Sequence, residues 1–73
     1  MNLVKEIRTS SLLIKIYSVN PDLVVEDNVS IFEGKDDYDI RNIVFNQIGA
    51  EQLEIFNVVD DPELTNPRSY ALM

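Results

Sequence analysis

The stretch Ser11-Leu12-Leu13-Ile14-Lys15-Ile16-Tyr17-Ser18-Val19 decides how the rest of the chain is read. Leu12, Ile14 and Ile16 recur at period two on one face, and Leu13, Lys15 and Tyr17 fall on the other. β-Branched residues and the Asn20-Pro21-Asp22 turn signal that follows make the stretch a strand. Its second face mixes one charge with apolar groups, so that face is expected to be open or only partly covered. Tyr17 then has two readings, a core residue or an anchor for a protein partner.

Working outward, residues 3–8 are ambiguous: Leu3 and Ile7 suit a short helical turn, whereas Val4 suits a strand. On the other side, Leu23-Val24-Val25 is a short apolar run before Glu26-Asp27-Asn28. Val29-Ser30-Ile31-Phe32-Glu33, closed by Gly34, predicts a second strand. Loop chemistry then gives way to helix-start chemistry. Asp36 or Asp37 can cap the first free amides, and Asp36, Asp37 and Asp39 all suit a helix N-terminus. Ile40, Ile43, Val44 and Ile48 form a one-sided apolar stripe. Gly49 stands where a left-handed C-terminal cap is wanted.

Gln52 to Val59 predicts a further strand whose apolar register switches midway, with Leu53 and Ile55 on one face and Phe56 and Val58 on the other. A bulge or burial of both faces would account for that. Asp60-Asp61-Pro62-Glu63 ends it and could open a last helical turn with Pro62 first. Residues 64–73 contain Pro67 and no clear period, and read as a C-terminal tail after a single α+β domain over 1–63. The expected fold is a small α+β two-layer sandwich, an antiparallel or mixed sheet of three to four strands with one helix, in the order β-β-α-β. The portion from Val29 to Val59 could form a right-handed parallel crossover.

Composition narrows the chemistry. In 73 residues there is no cysteine and no histidine, which removes disulfides, thiolate ligands and the usual neutral-pH base. A serine nucleophile would need a lysine base, and Lys5, Lys15 and Lys35 lack a suitably placed serine. Two glycines cannot build a phosphate-cradling loop. Asp37-Tyr38-Asp39-Ile40-Arg41 puts Arg where a third calcium ligand belongs and lacks the glycine of such a loop. No catalytic residue, metal ligand or cofactor site is therefore expected. Thirteen acidic against six basic side chains give a net charge of −7, which argues against direct nucleic-acid or anionic-membrane binding. Lys5, Arg8 and Lys15 would make a basic surface only locally. A basic groove on a larger protein suits the sign. No signal-like or membrane-spanning run is present in the sequence, so a cytoplasmic location, or the cytoplasm of an infected host, is expected.

The strand ending in Lys15-Ile16-Tyr17, the stretch Asn28-Val29-Ser30-Ile31-Phe32-Glu33, the acidic helix start and Leu53-Glu54-Ile55-Phe56 together resemble the epsilon subunit of bacterial RNA polymerase. That family has a fold similar to a small phage inhibitor of RNA polymerase. The resemblance spans residues 13–59 and lies in element order and pattern. Its helix is less charged than the family's, and the aromatic, acidic strand that should follow is missing here. The resemblance implies binding to a large polymerase subunit and brings no catalytic residues.

Two functions are expected on this basis. One is a non-catalytic, protein-binding regulator, of the kind a phage encodes as an inhibitor, docking on RNA polymerase or another nucleic-acid-processing enzyme. Its candidate contacts are Tyr17, Glu26, Asp27, Glu33, Asp36, Asp37 and Asp39, in which carboxylates occupy the place of phosphates. The same acids also have a plain reading as a solvated loop and helix cap. The alternative is a structural or assembly protein acting as a homo-oligomer, with a homo-dimer through exposed strand edges or the apolar tail.

Overall fold

The computed structural model describes residues 1–72. Four antiparallel strands form one sheet in chain order: β1 (Asn2–Arg8), β2 (Leu12–Ser18), β3 (Gln52–Asn57) and β4 (Arg68–Ala71). Between β2 and β3 runs a long connection, a 3-10 turn at Val29–Ile31, the helix α1 (Asp37–Asn42), and a π-helical turn at Ile43–Ile48 continuous with it. This is the expected α+β fold, with strand, strand, helix, strand in that order and a fourth strand after them. The sheet is antiparallel throughout, so among the described residues there is no parallel strand–helix–strand unit.

β2 is central because it is the most continuously buried strand, and it pairs with β1 on one side and β3 on the other. One face of the sheet carries Ile7, Leu12, Ile14, Ile16, Leu53 and Ile55, all buried. They pack in a single cluster with Phe32, Ile40, Ile43, Val44 and Ala50 from the connection and helix. Burial of a large aliphatic side chain contributes about 1.5–3 kcal/mol, so this cluster supplies most of the driving force for folding. The opposite face bears no helix. Leu13 opposes Phe56 there, outside the main cluster, and the mid-strand register switch of β3 is burial on both faces: the β2–β3 pairing runs without a bulge.

Four segments depart from the sequence reading or settle it. Residues 3–8 are a strand, and the ambiguity has a cause: a β-bulge between Leu3 and Lys5 breaks the alternation. Val29–Glu33 is not a strand. The amides of Phe32 and Glu33 both donate to the Val29 carbonyl, at 3.0 and 3.1 Å, and curl the segment so that Phe32 alone is fully buried. β1 and β3 already occupy both edges of β2, leaving that segment no place beside it. The region expected to be a tail contributes β4, paired with β3 from Ile55↔Arg68 to Gln52↔Ala71. Asp60-Asp61-Pro62-Glu63 opens no helix; the Leu64 amide closes a turn on the Asp61 carbonyl, with Leu64 itself left-handed at φ 58°.

Helix termini follow their chemistry. The Asp36 carboxylate accepts from the Asp39 amide at 2.9 Å, a side-chain N-cap. At the other end the Gly49 and Ala50 amides both reach the Val44 carbonyl, and Gly49 takes φ 84°, a left-handed conformation that glycine adopts without steric cost.

Candidate functional site

The seven residues marked as contacts by sequence do not form one surface. Tyr17 lies on the bare face of the sheet, beside Lys15 and opposite Gln52. Its hydroxyl donates to Glu54, and burial together with that carboxylate pushes its pKa up to about 12. Tyr17 is therefore a half-buried, hydrogen-bonded residue. On the same face Lys15 links to Glu6 at 3.7 Å and lies 5.4 Å from the centre of the Phe56 ring. A row of alternating charges crosses three strands there, Glu6, Lys15 and Glu54.

The acids cluster on the helix side, and most hold the fold together. Glu33 accepts the Ser10 amide at 3.1 Å and its hydroxyl, which tethers the helix-entry loop to the β1–β2 turn and lowers the Glu33 pKa. Asp27 pairs with Lys5 of β1 at 3.8 Å. Asp36 is the N-cap. Asp37 faces β4: it takes a two-pronged contact from Arg68, at 2.6 and 2.9 Å, and the Tyr70 hydroxyl at 2.6 Å. The Arg68 guanidinium is the main reason its carboxyl sits below the usual range. Arg41 completes the clasp, 4.5 Å over the Tyr70 ring. Asp39 and Glu26 remain exposed, and neither side chain enters a hydrogen bond or ion pair among the described residues.

Sequence reasoning missed the Asp37–Arg68–Tyr70–Arg41 clasp because its two halves are 31 residues apart. The excess of acids at a helix start was the available signal, since one cap needs one carboxylate. Glu51 is a second unforeseen tie: it accepts from the Val19 amide at 2.9 Å and the Ser18 hydroxyl at 2.8 Å, and those bonds lower its pKa. Likewise Asp61 gathers the amides of Asn66 and Thr65, both at 2.7 Å, which holds its pKa down and shapes the turn before β4.

Two shallow grooves flank the π-helical turn. The first, about 290 Å³, is lined by Val24, Val25, Glu26, Asn28, Ile31 and the Gln47–Ile48 end of the turn. Its apolar residues come from the long connection, Val24 stands 85 % exposed, and Glu26 is the only charge in the lining. The second, about 200 Å³, lies on the β4 side between Tyr38, Arg41, Asn42, Phe45, Asn46 and Leu72. Arg41 is the only charge there. π-Helical turns widen a helix and often accompany binding sites; here the widened turn contributes a wall to each groove.

Among the described residues no three of Asp, Glu, Cys or His converge as metal ligands, and every buried side-chain polar atom has a hydrogen-bond partner. No described helix is long and apolar enough to cross a membrane. Protein-family models, curated proteins and solved structures contain no match to this chain.

Proposed function

We propose that this chain is a small acidic, non-catalytic regulator that docks on a basic site of a larger protein, with RNA polymerase or another nucleic-acid-processing enzyme as the target class. The supporting observation is the first groove, whose lining mixes Val24, Val25, Ile31 and Ile48 with Asn28, Gln47 and an exposed Glu26 that has no ion-pair partner among the described residues, on a molecule of net charge −7. An apolar side chain of the partner enters the groove while a neighbouring Lys or Arg meets Glu26. The field of the whole molecule steers the encounter. Of the acids considered as contacts, Glu26 lines the groove with its carboxylate free; Asp39 is also free but lies outside that lining, and Asp27 is paired with Lys5. Asp36, Asp37 and Glu33 act by shaping the helix and its entry, and Tyr17 lies away from the contact.

The test is binding of the whole chain to purified, immobilised bacterial RNA polymerase at about 50 mM and about 500 mM salt. The expected result is binding at low salt that weakens at least tenfold at high salt, and a several-fold loss for Glu26→Lys at low salt. Absence of binding at low salt removes polymerase as the target, and binding indifferent to Glu26→Lys overturns the groove as the contact.

A further inference from the structure

The sheet ends on two unpaired edges, β1 and β4, and they are guarded differently. β1 is interrupted by its bulge and carries Lys5, Glu6 and Arg8, devices that discourage the addition of another strand. β4 keeps a regular register along Arg68–Ala71 and contains no proline. Its one charge, Arg68, is already neutralised by Asp37 at 2.6 Å.

The direction of its free backbone groups follows from the ladder. The Leu72 amide donates to the Glu51 carbonyl at 2.8 Å. In an antiparallel pair this turns the backbone groups of Tyr70 and Arg68 toward β3 and leaves the N–H and C=O of Ser69 and Ala71 pointing outward. The side chains of Ser69 and Ala71 are small and lie on the bare face, so nothing there obstructs an incoming strand. On the helix side Tyr38 and Leu72, 70 % and 56 % exposed, line the groove beside this edge.

We propose that β4 is a self-association edge, to which a second copy of this chain adds its own β4 antiparallel across a two-fold axis at Tyr70. In that register Ser69 of each copy faces Ala71 of the other, and their outward groups close about four backbone hydrogen bonds. The Tyr70 side chains meet on the helix side of the axis, each beneath its own Arg41. Leu72 of each copy falls opposite the Arg68 stem of the other. The occupant is a second copy because the edge complements itself: its hydrogen-bonding pattern is satisfied by its own antiparallel image, and its charge is cancelled within each copy. The exposed Tyr38 and Leu72 recur on both sides of the axis.

So short an edge buries less than the roughly 1,000 Å² of a stable interface, so the dimer is weak. The net charge of −7 on each copy opposes it, and salt screens that repulsion. Self-association therefore strengthens with salt, whereas the docking proposed above weakens, so the two readings stand or fall separately.

Sedimentation of the whole chain between about 10 µM and about 1 mM, at low and high salt, tests this. A monomer–dimer midpoint within that range is expected, moving to lower concentration as salt rises. Ala71→Pro removes an outward N–H without touching the β3–β4 ladder. It is expected to raise the midpoint at least tenfold with an unchanged circular dichroism spectrum, while Glu6→Pro on the opposite edge leaves the midpoint in place. In the wild-type chain, hydrogen exchange of the Ser69 and Ala71 amides is expected to slow on concentration, which reads the same edge without a variant. A chain that stays monomeric to about 1 mM at both salts, or a dimer whose Ser69 and Ala71 amides stay unprotected, overturns the proposal.

Discussion

The two grooves beside the π-helical turn are built from one helix and yet differ in every property that selects a partner. The first is walled by residues 24–28, the 3-10 turn and the end of the π-helical turn, and carries one anion, Glu26. The second is closed by α1 and the edge of the sheet and carries one cation, Arg41, already engaged with Tyr70. Most carboxylates between the two serve the fold, so acidity by itself says little about binding. What separates a carboxylate available for contact from a structural acid here is whether it already has a partner.

The sharpest break removes both grooves together. Ile40 is the fully buried residue of α1, and Ile40→Ala should cost about 2–5 kcal/mol, a large share of the stability of so small a domain. Thermal or urea unfolding would register it, together with loss of any binding. Asp37→Ala breaks only the β4 side. It leaves Arg68 and the Tyr70 hydroxyl without their shared acceptor, at about 1–2 kcal/mol, kept at the low end because Arg68 is 41 % exposed. Hydrogen exchange should show β4 opening while β1–β2 stays protected.

The clasp also has a pH signature. Because the folded Asp37 carboxyl lies below its ordinary value, its contribution is complete at neutral pH. That contribution is lost as pH drops below about 4 and through the lowered folded value. Asp37→Asn should therefore show a shallower acid limb in a stability–pH profile than the wild type; an unchanged limb would assign acid sensitivity to Glu33, Glu51 and Asp61, whose pKa values are lowered too. Tyr17 has the opposite sign. With its pKa raised to about 12, its stabilisation is present below the unfolded value near 10 and lost as pH climbs toward 12. Tyr17→Phe should flatten part of that alkaline loss and leave neutral stability within about 1 kcal/mol.

The smallest expected effect is the most telling for function. Glu26 makes no ion pair among the described residues, so Glu26→Lys should change stability by no more than about 0.5 kcal/mol while weakening docking several-fold. A variant that lost both stability and binding would make Glu26 one more structural acid and erase the contrast between the grooves.

What could be read from the sequence followed locality. β2, the Asp36 cap, the apolar stripe of the helix and the Gly49 stop are written in near neighbours, and each is where its residues place it. The strand pattern of Val29-Ser30-Ile31 misled because β-branched content reports a fit to a pleated surface, and both sides of β2 are already taken by β1 and β3. β4 was illegible for the converse reason: Arg68, Ser69, Tyr70 and Ala71 have no period of their own. They become a strand through pairing with β3 and through the clasp to Asp37. The acidic stretch over 26–39 was visible as charge, but which carboxylates were already committed depended on Ser10, Lys5 and Arg68, all distant in the chain.

A basic partner is proposed to meet this protein at the first groove. An isotope-labelled sample titrated with purified RNA polymerase at low salt, followed residue by residue in the NMR spectrum, tests it directly. Losses of intensity are expected to concentrate at Val24, Glu26, Ile31, Gln47 and Ile48 and to be reversed by salt. Losses centred instead on Leu13, Lys15, Tyr17 and Phe56 of the bare sheet face, or none at all, would contradict it.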